Sequence, residues 1–440
     1  MNSANEWKGR HIAMYIGSLQ KGGAERVMVN LAEYFHEQGY RVTFVTTYLS
    51  RVEYEVPDAA WKVIETGQEP QEQELCRPDP AQKQKTDVQR VLTVAGDYAT
   101  VSFNNRELQA GQAEKPKACC SYIGRVFSAP LPEELTGSRI GNFRTRCKRL
   151  RSIWKTLAPD LILSFSGKNN VMAIMTSFGL GIPVVVSVRS NPSREYANRL
   201  LRMAMLSTFR HAAGVVLQTD GAMQYFPKVV QKKSVILPNS IHPDFIREPF
   251  QGVRNKTVVS VGRLDDNKNQ ALLIKAFAKI SQQQQPSYTL HLYGDGPCRG
   301  KLEKLAEDLN VQDKVFLEGI VDKVADRIMQ AGIFVLSSDQ EGMPNALIEA
   351  MSLGIPCIAT DCPCGGPKDL IRDARSDSAY GNGLLTPVGN VDKMAESLLY
   401  LMTDQGRAAQ IGMRAARVQK QYSPEAINAR WKEYLDSLMV

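Results

Sequence analysis

At 440 residues the chain is longer than one ordinary hydrophobic core accommodates, so two domains are expected. A composition of 43% hydrophobic and 23% charged residues, with Gln282–Gln285 as the only low-complexity tract, excludes a disordered or membrane-embedded chain. The net charge of +8 is uneven: residues 1–250 hold 32 basic and 23 acidic side chains and 251–440 hold 22 and 23, which points to an anionic partner for the first half, membrane surface or nucleic acid.

In chain order, polar Met1–His11 is followed by no apolar leader segment, so no secretory signal is expected. His11–Ile16 is a short apolar run suited to a buried parallel strand, followed by a glycine-rich turn. Ala24–Gln38 carries Val27, Leu31 and Phe35 at helical spacing, and Val42–Val45 reads as the next strand. Thr66–Gly137 is long, polar and Gln-rich, with one weak strand candidate at Val88–Ala95, and reads as an insertion or a mobile loop. Strands then follow at Asp160–Phe165, Pro183–Val188 and Gly214–Leu217. Met172–Val188, the most apolar stretch, is interrupted by Gly179, Gly181 and Pro183 and so reads as helix, turn and strand.

After the proline-bearing segment Pro238–Asn255, a second alternating series begins. Its strands are Val258–Val261, Thr289–Tyr293, Val315–Leu317, Ile333–Leu336 and Cys357–Ala359. Its helices are Ala271–Ile280, Lys301–Leu309, Lys323–Gln330 and Ala346–Leu353. Helical segments fill Val391–Leu438. Alternation of this kind implies an α/β architecture with parallel sheets and helices on both faces. The expected division is 1–240, with 66–137 inserted, then 256–420, then a C-terminal helix over 421–440 that packs back on the first domain. The eight cysteines form neither a disulfide framework nor convincing zinc spacing, and no metal site is expected.

Three motifs carry chemistry. Gly17–Ala24 is a glycine-rich strand-to-helix loop in which Gly22 and Gly23 let a ligand approach the backbone; Gly23-Ala24 stands where a Walker loop needs Lys-Ser/Thr. Gly262-Arg263-Leu264 follows a strand, with Lys268 five residues after Arg263, so two cations at a strand end could hold a diphosphate. In Glu341-Gly342-Met343-Pro344-Asn345-Ala346-Leu347-Ile348-Glu349, Pro344 suits the first helical position. The amides of Asn345 to Leu347 would then be free for phosphate, with a carboxylate on either side to accept sugar hydroxyls.

With Gly22-Gly23-Ala24-Glu25-Arg26, Gly262-Arg263…Lys268-Asn269 and Tyr293-Gly294-Asp295-Gly296-Pro297, the E-x7-E pair Glu341/Glu349 resembles the family 4 retaining glycosyltransferases, which build bacterial surface polysaccharides and lipid-linked glycans. The resemblance covers roughly 10–65 and 140–440. It implies a GT-B fold, two Rossmann-like domains facing a central cleft, with a nucleotide-diphosphate sugar as co-substrate and no cofactor or metal. It gives catalytic roles to Arg263, Lys268 and Glu341. Donor contacts fall to Gly22, Gly23, Gly262, Gly319, Met343, Pro344, Asn345, Ala346 and Glu349, the last on the ribose, with Phe316–Gly319 bordering the base. Transfer in such enzymes is front-face and uses no protein nucleophile.

Two stretches depart from the pattern: the insertion, and Ser187–Pro192, where many members carry a histidine. Arg189 in this stretch cannot act as a base, although it could bind a phosphate. On the acceptor side, Arg139–Leu157 holds seven basic residues and no acidic one. Ile140, Phe143, Cys147, Leu150, Trp154 and Leu157 form an apolar stripe, giving a basic amphipathic helix. The expectation is that the stripe packs inward and the basic face approaches anionic lipid, each cation contributing about 1 kcal/mol. This favours a cytoplasmic enzyme peripheral to the membrane's inner face, acting on a lipid-linked acceptor. The alternatives are a soluble transferase with a small sugar acceptor and a catalytically silent sugar-nucleotide-binding protein. Nucleic acid is disfavoured, because Phe143 and Trp154 lie on the apolar stripe and not among the cations as stacking platforms.

Overall fold

The computed structural model describes residues 9–20, 22–48, 53–54, 91–95, 98–102, 123–130, 134–135, 137–281 and 288–439. The chain forms two compact units. One comprises Met1–Ser187, Asn198–Val215 and Lys432–Val440; the other comprises Val188–Ala197 and Val216–Trp431.

The first sheet has seven strands: β1 (His11–Ile16), β2 (Arg41–Thr46), β5 (Ile123–Phe127), β6 (Leu161–Phe165), β7 (Val184–Ser187), β8 (Gly214–Leu217) and β9 (Ser234–Ile236). They lie in the order β5-β2-β1-β6-β7-β8-β9. A separate antiparallel pair, β3 (Val91–Ala95) and β4 (Tyr98–Ser102), stands apart from it. All six residues of β1 are buried because β2 and β6 flank it in parallel, which explains its unbroken apolar run. The insertion reading of 66–137 needs correction at its end: β5 is a regular edge strand, paired in parallel with β2 from Val42↔Ile123 to Thr46↔Phe127. It is only five residues long and carries Arg125 inward, so hydrophobic periodicity could not reveal it. The weak strand candidate at Val88–Ala95 corresponds to β3, and residues 88–90 lie outside the described residues.

Helix α1 (Gly23–Glu37) buries Val27, Leu31 and Phe35 as its spacing predicts. Helix α2 (Arg139–Leu157) has the expected bounds and is capped by Ser138, whose hydroxyl accepts from the Gly141 amide at 3.3 Å. Helix α3 (Gly167–Ser177), the short α4 (Pro192–Glu195) and α5 (Arg199–Thr208) follow. The steps β5-α2-β6, β6-α3-β7 and β7-α5-β8 all run the same way along the sheet. Right-handed crossovers therefore set α2, α3 and α5 on one face, where α3 packs on both others. Lys432–Val440 belongs to the same unit: Asp436 accepts from the Tyr40 hydroxyl at 2.5 Å and pairs with Arg10 at 3.0 Å.

The second sheet is parallel, with β10 (Thr257–Val261), β11 (Thr289–Tyr293), β12 (Val315–Gly319), β13 (Ile333–Leu336), β14 (Cys357–Thr360) and β15 (Leu384–Thr386) in the order β12-β11-β10-β13-β14-β15. Phe277, Leu290, Leu292, Val335 and Leu398 lie at its core. The chain runs outward from β10 to β12 on one side, then returns to β13 and runs outward on the other. The switch point between β10 and β13 is where a doubly wound sheet opens a ligand crevice. Among the described residues no helix is long and apolar enough to cross a membrane.

Candidate active site

The loops leaving β10 and β13 meet at this switch point and are laced together. The Asp339 amide donates to the Asn267 carbonyl at 2.8 Å, and the Asn267 side chain donates to the Gln340 carbonyl at 3.0 Å. Asn269 donates to Asp339 at 2.8 Å, and the Ser337 hydroxyl donates to the Lys268 carbonyl at 2.9 Å. The result is a cation and a carboxylate in direct contact: Lys268 Nζ lies 2.6 Å from Glu341 Oε1. That oxygen also accepts from Ser338 Oγ at 2.6 Å. Only 24% of the Lys268 side chain and 12% of the Glu341 side chain are exposed, so the pair is held in a partly desolvated place. From below, the Ser338 carbonyl accepts from Thr360 Oγ1 at 2.5 Å and from Cys362 Sγ at 3.1 Å, so β14 fixes the loop that presents Glu341. Burial pushes the Cys362 thiol up to about 11, which makes it an inert donor and no nucleophile at neutral pH.

Arg263 lies in the same loop but is not brought onto Glu341. It pairs with Asp265 at 2.6 Å, and 73% of its side chain is exposed. Burial works to raise the Asp265 carboxyl. The Lys268 amide, the Arg263 guanidinium and the charge of Lys268 outweigh it, so its pKa lies below the usual carboxylate value. Gly262 sits at φ +155°, and its amide donates to the Tyr293 carbonyl at 2.9 Å. A Cβ at Gly294, where φ is +133°, would overlap the Gly262 carbonyl, so two glycines are needed for β10 and β11 to end this close together. Gly319 closes the neighbouring strand end by accepting from the Gly294 amide at 2.7 Å. Nearby, Phe316 stacks on His291, whose ring pairs with Glu318 at 2.7 Å.

The segment 342–349 corrects two expectations. Pro344 is the N-cap, one position before the helix Asn345–Ser352, with an extended backbone. The Leu347 amide is also not free, since it bonds the Pro344 carbonyl at 3.2 Å. The Met343 amide donates to Gln218 Oε1 at 3.3 Å. Among the described residues, the amides of Asn345 and Ala346 remain without a protein acceptor at the helix start. Glu349 is buried in that helix, 7% exposed.

Residues that the motifs did not reveal hold this segment. Asn239 donates to Asn345 Oδ1 at 2.5 Å and accepts from Gln218 Nε2 at 2.9 Å and from Arg189. Gln218 and Asn239 are 3% and 5% exposed. Two buried amide side chains at strand ends are a signal that sequence offers only through neighbours made by folding. Arg189 is built into this scaffold through its two terminal nitrogens. It also donates to the Leu237 carbonyl at 3.1 Å and lies over the Trp431 ring. Burial lowers its guanidinium to about 9 while Glu195 opposes the shift, which still leaves a cation at neutral pH.

In the other unit, Gly22 caps α1 and Gly23 is its first residue. Gly22 accepts from the Tyr54 hydroxyl at 3.3 Å, and the Leu19 amide donates to Glu53 at 3.2 Å. Glu53 is held by Arg125 of β5 at 2.5 Å, a buried ion pair under the glycine loop that no motif suggested. Among the described residues, no three His, Cys, Asp or Glu side chains gather as a metal site.

The family description "Glycosyl transferase 4-like domain" matches residues 22–239, and "Glycosyl transferases group 1" matches 244–418. An uncharacterized glycosyltransferase of Methanocaldococcus jannaschii is 28% identical over 250 residues, covering 51% of this chain and 61% of that one; the chain thus spans less than two thirds of this relative. A Campylobacter jejuni alpha-1,4-N-acetyl-D-galactosaminyltransferase, named for a diphospho-undecaprenol-linked glycan, is 27% identical over 284 residues, covering 64% of this chain and 76% of its own. The crystal structure of Anabaena HepE in complex with UDP superposes with a TM-score of 0.67 at 17% identity, over 97% of this chain and 100% of that one. With two parallel Rossmann-like sheets and a matching family description over each part, the chain belongs to the GT-B glycosyltransferases of family 4.

Proposed function

We propose that the chain is a retaining, metal-independent transferase that moves a hexose or N-acetylhexosamine from a nucleotide-diphosphate sugar to a membrane-associated, lipid-linked glycan. The observation that carries this reading is the Lys268–Glu341 contact at the β10/β13 switch point, beside the unengaged amides of Asn345 and Ala346. A diphosphate placed there meets a cation and two helix-start N–H groups, which stabilise negative charge as it grows on the leaving phosphate. Lys268 and Arg263, the latter released from Asp265, take the part a divalent ion plays elsewhere. Glu341 accepts hydroxyls of the transferred sugar, and Glu349 accepts from the ribose.

In the transfer step the bond from the anomeric carbon to the phosphate oxygen breaks. The acceptor hydroxyl oxygen bonds to that carbon on the same face, and its proton passes to the departing phosphate. No protein nucleophile is required. Residues 256–420 would hold the donor and 1–240 the acceptor, with Gly22 and Gly23 facing phosphate or sugar. The lipid-linked acceptor is supported by the name of the Campylobacter relative and by the exposed cations of α2, which suit the anionic inner face of a cytoplasmic membrane. Thermal-shift measurements with uridine and guanosine diphosphate sugars in the presence of a chelator test the donor site. One nucleotide series is expected to raise the melting temperature without metal. Stabilisation by neither series, or only after metal is restored, overturns the assignment.

A further inference from the structure

The outer face formed by α2, α3 and α5 differs from what the amphipathic pattern of α2 predicts. Leu150, Ile153 and Trp154 are buried, whereas Ile140 and Phe143 at the start of α2 are 68% and 46% exposed. Further apolar exposure lies on α5, a helix that the sequence motifs did not single out and that α3 separates from α2. On α5, Leu200, Met203 and Leu206 recur every three residues and point outward, 77%, 67% and 41% exposed. Phe178, just past α3, is 65% exposed. Large apolar side chains grouped on one surface of a folded unit mark an interaction site.

Charge identifies the partner. Helices α2, α3 and α5 contain no Asp or Glu, and the exposed cations Arg139, Arg144, Lys148, Arg199 and Arg202 flank the apolar row. Arg149 pairs with Glu134 and Arg151 donates to the Thr176 and Phe178 carbonyls, so these two cations serve the fold. A second copy of these acid-free helices would set cation against cation. A phosphate backbone in water would leave Leu200 and Met203 uncovered. An anionic bilayer satisfies both features, with headgroups for the guanidinium and ammonium groups and acyl chains for the apolar row.

We propose that α5, with the end of α3, inserts Leu200, Met203 and Phe178 into the interfacial layer of an anionic bilayer while the cations of α2 and α5 hold its headgroups. This deepens the membrane-side reading given above: α2 supplies attraction, and α5 supplies the depth that salt cannot screen.

Flotation of the full chain with vesicles of zwitterionic lipid, with and without an anionic lipid, tests it; the vesicles carry neither donor nor glycan. The wild type is expected to float with anionic vesicles and to keep part of that binding in high salt. Leu200→Glu/Met203→Glu should weaken binding by at least about tenfold, while the nucleotide-induced thermal shift, which reports an intact donor site, is unchanged. Met203→Trp should show a blue-shifted emission on binding. Wild-type affinity in the double variant, or no emission shift on bound vesicles, overturns the insertion. A change of oligomeric state in the double variant with vesicle binding retained assigns the face to self-association and likewise overturns it. Because the donor screen needs no lipid and flotation needs no donor, failure of either reading is seen separately.

Discussion

Replacing Lys268 by alanine separates a catalytic cation from a structural one. At 2.6 Å, with 24% and 12% of the two side chains exposed, Lys268 and Glu341 attract each other by about 1.5–6 kcal/mol for effective dielectrics of roughly 80 to 20. Desolvation of both groups and partial solvent screening reduce the net contribution to about 1 kcal/mol. Glu341 keeps its Ser338 bond, so Lys268→Ala should lower the melting temperature by only a few degrees. The rate is affected differently. One preorganised donor to a developing phosphate charge is worth about 3–4 kcal/mol, or roughly 10²–10³ in turnover. Initial rates of nucleoside-diphosphate release, measured beside thermal melts, read both quantities. The double variant Lys268→Met/Glu341→Gln removes the lone carboxylate and should recover stability but not rate. Wild-type turnover in Lys268→Ala, or recovery of rate along with stability in the double variant, would refute a role for Lys268 at the diphosphate.

Glu349→Ala is expected to lower kcat/KM by more than about tenfold through loss of the ribose contact, with unchanged far-ultraviolet circular dichroism; an unaltered kcat/KM removes the donor role. Burial, followed by the nearby Asp220 charge, raises the Asp369 carboxyl to about 6 from 3.8. A carboxyl raised on folding binds its proton more tightly in the native state. Its stabilising contribution is therefore complete below pH 3.8 and lost as the pH climbs through about 6. Asp369→Asn, neutral at every pH, should gain melting temperature over the wild type progressively between pH 4 and pH 7; a constant difference across that range contradicts the assignment.

Much of the fold was legible because parallel sheets bury whole strands. The apolar runs at His11–Ile16, Gly214–Leu217, Thr289–Tyr293 and Ile333–Leu336 lie in the sheets with those bounds or within a residue of them. Short or polar strands were not legible. Ile123–Phe127 carries an inward arginine, Ser234–Ile236 and Leu384–Thr386 have three residues each, and no periodicity can be read from so few.

The sequence by itself determined the alternating α/β order and the cations and carboxylates that follow β10 and β13, because a strand end followed by a loop is a local property of the chain. Tertiary structure alone decided which of those groups meet. Lys268 reached Glu341, 73 positions away, because parallel pairing of β10 with β13 sets their loops side by side. Arg263, in the same loop, turned to Asp265 and to solvent. It also placed Gln218 on the Met343 amide and left α5's leucine and methionine uncovered. A hydrogen bond or an exposed side chain depends on what other segments bring near it, and no local window of sequence contains that information.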